Sequence, residues 1–325
     1  LMEGAIQGML SSLDPHSGFL NENDFSTLTT QIEGEYGGLG LSVTMEDGAV
    51  KVIAPMADTP ADKAGIKPGD FITHLDGKLI YGGTLDEAVA AMKGVPGTSI
   101  KLGIFRPGRD APFDVTVTRA IIDLKPVKWE VKDRIGVITV TGFSEDTGND
   151  VVAAIKGVQK SLGGKPLGYI LDLRSNPGGI LDEAVAVSDA FLSNGEIVSE
   201  RGRNKNDIQR WWAESAVPGD VTNGAPVIVL VDAGSASASE IVAGALQDHH
   251  RGLVMGERSF GKGSVQNVLP LSRSTGLRLT IARYHLPSGR SVQEGGIKPD
   301  VAVPPLSDPD YKKRVAIRES DLRRH

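Results

Sequence analysis

Tyr169-Ile170-Leu171-Asp172-Leu173-Arg174-Ser175-Asn176-Pro177-Gly178-Gly179 is an apolar run closed by a turn-forming string, and a helical pattern follows it over Ile180–Leu192. The same grammar returns at Val227–Val231. There the turn is Asp232-Ala233-Gly234-Ser235-Ala236-Ser237, and the helix expected after it spans Ala238–Gln247. A short apolar run bounded by small residues reads as a buried strand, and an apolar period near 3.6 reads as a helix. Strand, tight turn and helix twice over predict βαβ units, hence a sheet covered by helices.

The flanks extend this pattern. Before it lie a strand, Ile135–Thr141, and a helix over 151–162; after it come an alternating strand, Leu277–His285, and the Pro/Gly-rich 286–305. The charged last twenty residues read as a loosely packed tail. Residues 2–13 place Met2, Ala5, Ile6, Met9 and Leu13 on one helical face, ended by Asp14-Pro15. Between 34 and 119 the texture is β-rich. Leu39, Leu41 and Val43 alternate, Asp47-Gly48 signals a hairpin, Val50 and Val52 resume a strand, and further strands fall around Phe71–Leu75 and Ile100–Phe105. One helix, Leu85–Met92, presents Leu85, Ala88, Val89 and Met92. The expected domains are an N-terminal helical segment (1–33), an inserted small β-rich domain (34–119) and an α/β core with its tail (120–325).

Composition sets the outer limits. A chain of 325 residues suggests two domains, and 40% hydrophobic with 23% charged residues is ordinary globular usage. Thirty-five basic against 41 acidic residues give a net −6, which argues against nucleic acid or an anionic membrane as the main partner. The absence of cysteine removes disulfides, thiolate metal sites and cysteine nucleophiles together. No apolar run approaches the ~18 residues of a membrane-spanning helix, and a start at Leu1 without a visible signal peptide reads as a mature or trimmed form.

A serine on a strand-to-helix turn is exposed at a sheet edge beside helix-start amides that can stabilise an oxyanion. It needs a base, and without one Ser235 or Ser239 would simply cap the helix. The histidines offer none. His16 follows a helix stop, His74 and His285 lie in strands, and His249-His250 end a helix. No metal-ligand spacing is present. Lys262, between Gly261 and Gly263, is the better candidate, because close backbone packing can desolvate the amine and lower its proton affinity; a solvated surface lysine is the plainer reading. Gly256-Glu257-Arg258-Ser259-Phe260-Gly261-Lys262-Gly263 imitates a nucleotide P-loop, but glycine stands where a metal-binding Ser or Thr is required, and the acidic Asp232 precedes it in the chain. In Tyr36-Gly37-Gly38-Leu39-Gly40-Leu41, glycines precede a strand rather than a helix. That rejects a dinucleotide loop and suits an amide nest that holds a carboxylate.

The β-rich stretch resembles a PDZ domain, on Gly38-Leu39-Gly40-Leu41 and on Ala64-Gly65-Ile66-Lys67-Pro68-Gly69-Asp70. This implies binding of protein C-termini by Gly38, Leu39, Gly40 and Leu41, with Val89 and Met92 lining the groove. The whole chain is similar to the carboxyl-terminal processing peptidases. The strings are Asp14-Pro15-His16-Ser17, Tyr36–Leu41, Asp172–Gly179, Gly234–Ile241, Gly256–Gln266, Gly289-Arg290 and Gly296-Ile297-Lys298-Pro299-Asp300. The resemblance implies a crotonase/ClpP-like spiral protease core, with Ser237 as nucleophile, Lys262 as general base and Gln266 orienting it. The oxyanion hole would be the amide of Ala238 with that of Gly178 or Gly179. On this reading Lys262 and Gln266, four apart, share a side, and Arg106 on the last strands of the inserted domain gates the site, against a plain surface role. The expected activity is ATP-independent cleavage of flexible or unfolded tails in the periplasm or cell envelope, without metal or organic cofactor. An adaptor or activator and a homo-oligomer are partners it leaves open, and a catalytically silent PDZ-bearing adaptor is the alternative.

Overall fold

The core sheet buries alternate residues of its apolar strands: Val227, Val229 and Val231 are buried under the helices, while Ile228 and Leu230 on the other face are only half-buried. Ile135–Val140, Gly168–Asp172, Val227–Val231 and Gly252–Gly256 run parallel in that order, extended by Val301–Ala302 at one edge and by the antiparallel Val127–Lys132 at the other. Helices Thr147–Leu162, Leu181–Asp189 and Ala238–Asp248 pack on it. Val151, Ile155, Val187, Ile241 and Leu246 are wholly buried in one cluster with Leu171 and Val229. This computed structural model describes residues 2–325 except Asp47, Tyr81, Asp110, Lys205, 215–218, 305–316 and 323–325.

A second, five-stranded sheet joins distant parts of the chain. Gly276–His285 pairs with Gly18–Leu20, Ser264–Pro270 and Gly195–Gly202, and Ile208–Ala213 closes the edge. The chain divides into two compact units, residues 1–33 with 125–325, and Gly34–Leu124. The inserted unit runs to Leu124 rather than 119 because Ala120–Asp123 pairs with Glu35–Gly38 and the Leu124 N–H donates to the Gly34 carbonyl.

That inserted unit is an antiparallel sheet of Leu41–Glu46, Ala49–Pro55, Phe71–Leu75, Ser99–Phe105 and Phe113–Thr118, with the short Lys78–Leu79. Its core is Val52, Ile72, Ile100, Leu102 and Ile104 with Ala88 and Met92 of helix Leu85–Met92. Thr84 and Glu87 close that helix with a reciprocal capping box. Asp47 of the hairpin signal lies outside the described residues; the strands around it pair as an antiparallel hairpin.

Two expectations change. The first helix ends at Leu10, and it buries Leu10 while Met9 and Leu13 stand 64% and 62% exposed, so the face read from the pattern is not the packed one. The tail expected to be loose falls partly on 305–316 and 323–325, outside the described residues, and of 317–322 the turn Glu319–Asp321 is anchored through Glu319 while Ile317 stands exposed. Glu319 is fully buried and bonds His16, and Arg318 Nη1 donates to the carbonyls of Arg258 and Ser259.

Candidate active site

Parallel neighbours Gly168–Asp172 and Val227–Val231, in register Asp172 with Leu230, deliver both turns to one sheet edge. Ligand-binding turns gather at this carboxyl end of open α/β sheets. Asn176 stitches the two turns together. It is fully buried, its Nδ2 donates to the Val140 carbonyl at 2.8 Å, and its own carbonyl accepts from Ala236 N–H (3.0 Å) and Ser239 Oγ (2.9 Å). Asp232 adds a second stitch, accepting from the Ser175 and Gly234 amides.

The three serines of the second turn separate cleanly. Ser235 Oγ donates to the Leu173 carbonyl at 2.8 Å and accepts the Asp232 amide, and Ser239 Oγ is spent on Asn176. Ser237 and Glu240 occupy capping-box positions, but the bond that closes the helix start runs from the Ser237 amide to Glu240, and the Ser237 hydroxyl makes no cap hydrogen bond of its own. Its backbone lies at φ 54°, ψ −113°, a conformation L-residues avoid at about 1–3 kcal/mol and one typical of functional turns.

The glycines of the first turn stand against this serine. A Cβ on Gly178 would come within 2.8 Å of Ser237 Cβ and 3.0 Å of the Ala238 nitrogen, and one on Gly179 within 2.1 Å of the Phe143 carbonyl oxygen. Only glycine allows the approach. The Gly178 N–H already donates to Asn176 Oδ1 at 2.9 Å. Among the described residues, the Gly179 and Ala238 amides have no acceptor. Of the two glycines, Gly179 is therefore the one whose amide is unpaired among the described residues.

Lys262 precedes strand Ser264–Pro270 and is mostly buried. Burial first, then the Arg278 guanidinium, hold its ammonium below the ordinary value, against the opposing carboxylates of Glu319 and Glu240. No hydrogen bond joins Lys262 Nζ to Ser237 Oγ among the described residues. Gln266 does not bond Lys262 either. Its Nε2 donates to Ser264 Oγ at 2.8 Å and to Thr280 Oγ1 at 3.3 Å, because a bulge between Val265 and Gln266 breaks the even spacing. Thr280 Oγ1 in turn donates to Asp14 Oδ1 at 2.8 Å.

Sequence reasoning missed Glu240. Its carboxylate is wholly buried, and Oε2 accepts the amides of Ser237 (2.8 Å) and Lys262 (2.9 Å), while Oε1 accepts the Gly261 amide (2.7 Å) and Ser259 Oγ (2.5 Å). Its place three residues after Ser237 reads as one half of a helix capping box, which hides the reach to residues 259–262.

In the inserted unit, Gly38, Leu39, Gly40, Leu41, Val89 and Met92 line one small cavity of about 50 Å³, joined by Tyr36, Val43 and Lys93. Lys93 Nζ stands 5.1 Å from the Tyr36 ring centroid. The Leu39 and Gly40 amides, in the turn before the strand, have no acceptor among the described residues. Arg106 pairs within its own unit. Nε and Nη2 bind the fully buried Asp70 at 2.7 and 2.8 Å, and Nη2 also caps the Gly65 carbonyl. Among the described residues no cluster of three or more His, Cys, Asp or Glu could hold a metal ion, and no helix is long and apolar enough to cross a membrane.

Residues 134–303 match the model of peptidase family S41, and residues 37–117 match a PDZ domain. A carboxy-terminal-processing protease of Bartonella bacilliformis is 51% identical over 100% of this chain and 75% of its own length. Carboxy-terminal processing protease CtpA of Bacillus subtilis is 36% identical over 96% of this chain, which spans 65% of that relative. Among solved structures, a photosystem II D1 C-terminal processing protease superposes with a TM-score of 0.56 at 29% identity, covering 99% of this chain and 87% of that one. The chain therefore belongs to peptidase family S41, a serine protease with an α/β core and an inserted PDZ domain.

Proposed function

We propose that this chain is an ATP-independent endopeptidase that takes protein C-termini into its PDZ groove and cleaves flexible or unfolded tails. Ser237 is the nucleophile and Lys262 its general base. The observation that carries this reading is the pairing of a strained serine, free of capping duty, with a desolvated lysine whose backbone hangs on the same carboxylate. Neutral Lys262 Nζ takes the Ser237 proton as Oγ attacks the peptide carbonyl carbon. The resulting oxyanion sits on the Ala238 and Gly179 amides. The ammonium gives its proton to the leaving amine nitrogen, the C–N bond breaks, and an acyl-enzyme remains. Water then attacks the acyl carbon as Lys262 accepts its proton; the C–Oγ bond breaks, Lys262 returns that proton to Ser237 Oγ, and the new C-terminus is released. Gln266 acts one step out, fixed by Ser264 and Thr280.

The test is degradation of an unfolded protein with an apolar C-terminus, without ATP or metal, by wild type, Ser237→Ala and Lys262→Ala. Cleavage by wild type alone is expected, with C-terminal peptide binding kept in both variants. Turnover by Lys262→Ala would overturn the dyad, and failure of wild type to label with a serine-directed phosphonate would favour the silent adaptor. We also infer a cell-envelope location from the family resemblance; a full-length pool confined to the cytosol on fractionation would contradict it.

A further inference from the structure

The Ser237 and Lys262 side chains share no hydrogen bond, yet their main chains share one anchor. Glu240 Oε2 accepts both amides, and Oε1 holds the Gly261 amide and the Ser259 hydroxyl, which itself accepts the Ile297 amide. One carboxylate thus ties the turn that presents the nucleophile to the loop that presents the amine. Four donors converge on a group with no proton to give, an arrangement suited to the anion, and the site is fully buried, so neither loop can exchange this anchor for water. Burial pushes the Glu240 carboxyl upward, against the donors that pull it down. The charged groups acting on Lys262 come from three elements: Glu240 at the start of helix Ala238–Asp248, Arg278 on strand Gly276–His285, and Glu319 in the C-terminal turn Glu319–Asp321.

We propose that Glu240 is a positioning residue for the hydrolysis: it sets the spacing of Ser237 and Lys262 by holding both backbone amides on one carboxylate oxygen. Its charge is also one of those that favour the ammonium. This rests on the dyad reading above. It gives the buried acid a function beyond capping its own helix, which the Ser237 amide alone would satisfy.

The test uses the whole chain with Glu240→Gln and Glu240→Asp beside Ser237→Ala and Lys262→Ala. Gln keeps the reach but turns an amide donor towards two of the four donors and removes the charge. The expected result is a fall in kcat of about 100-fold, the scale of a small misplacement, with KM and affinity for a C-terminal peptide unchanged. Labelling of Ser237 by a fluorophosphonate slows in parallel. The acid limb of the pH–rate profile moves to lower pH, because losing a neighbouring anion makes the ammonium easier to deprotonate. Asp keeps the charge but is one methylene too short to hold both loops. Its kcat falls while its acid limb stays, and it decides the matter if the Gln variant does not fold. Labelling and kcat within about threefold of wild type in both variants, or an unmoved acid limb in Glu240→Gln, would overturn the proposal. Turnover by Ser237→Ala or Lys262→Ala would instead overturn the dyad, so the two failures are told apart.

Discussion

Ser235, Ser237 and Ser239 are chemically identical in the sequence, and only their hydrogen bonds distinguish them. The outer two are structural: each hydroxyl is buried and bonded to a carbonyl of the facing turn. Truncating either removes a buried hydrogen bond, and Ser235→Ala also strands the Asp232 amide, so we expect Ser235→Ala and Ser239→Ala to lower unfolding free energy by about 1–2 kcal/mol in denaturant titrations. Ser237→Ala removes no cap and should leave stability within about 0.5 kcal/mol while ending turnover. A stability loss at Ser237 equal to its neighbours' would return it to the capping role. Gly178 makes the complementary case. Its φ of 102° is open to glycine, and an added methyl would press on Ser237 Cβ and cover the Ala238 amide. Gly178→Ala should therefore slow phosphonate labelling by about 100-fold or more while C-terminal peptide binding persists. Labelling at the wild-type rate would show that the turn yields.

At the scale of elements, Arg106 lies on strand Ser99–Phe105's outgoing turn and its partner Asp70 just before strand Phe71–Leu75, so their ion pair clamps neighbouring strands. Burial raises the Asp70 carboxyl, but the Arg106 guanidinium and the Lys67 amide outweigh it and hold it below the ordinary carboxylate value of 3.8. A carboxylate depressed by folding contributes stability that is complete above its unfolded value and is lost as pH falls through the folded one. Arg106→Ala strands a fully buried anion, and we expect about 3 kcal/mol less stability in the inserted unit at neutral pH, seen as an earlier transition in thermal or denaturant melts. An unchanged melt with altered peptide hydrolysis would instead favour a gating role for Arg106. The two strand–turn–helix units were legible in the sequence because apolar strands meet small-residue turns. So was the groove, because glycines precede a strand. Strands Gly195–Gly202 and Ile208–Ala213 were not: charged residues such as Glu200, Arg201 and Arg210 occupy them, and they bury only part of their length. Gln266 was misplaced for a local reason, the bulge beside it, and Glu240 for a distant one, since its contacts span about twenty residues of sequence that no short-range pattern links.

At the scale of the whole molecule, the peptidase core is closed by its own ends. Asp14 and Ser17 bind Thr280, His16 binds Glu319, and Glu319 Oε1 accepts Gln293 Nε2, whose Oε1 accepts the Gly263 amide beside Lys262. Residues some 300 positions apart thus wall in one amine. Enclosure of this kind opposes the ammonium, and it has a consequence for stability that does not depend on any substrate. In the unfolded chain Lys262 is protonated up to about 10.5, whereas in the folded core it releases its proton at lower pH. Between those two values the unfolded state binds more protons than the native one, so stability must rise with pH across that window. Replacing Lys262 by Met keeps the length and apolar packing while deleting the titration. The difference in unfolding free energy between Lys262→Met and wild type should therefore favour the variant at neutral pH and shrink steadily towards pH 10. Tyr284, whose phenol burial pushes well above its ordinary value, titrates beyond that range and is common to both proteins. A difference that stays constant from pH 7 to 10 would mean that Lys262 keeps its proton in the folded core, and a resting ammonium could not serve Ser237 as a base.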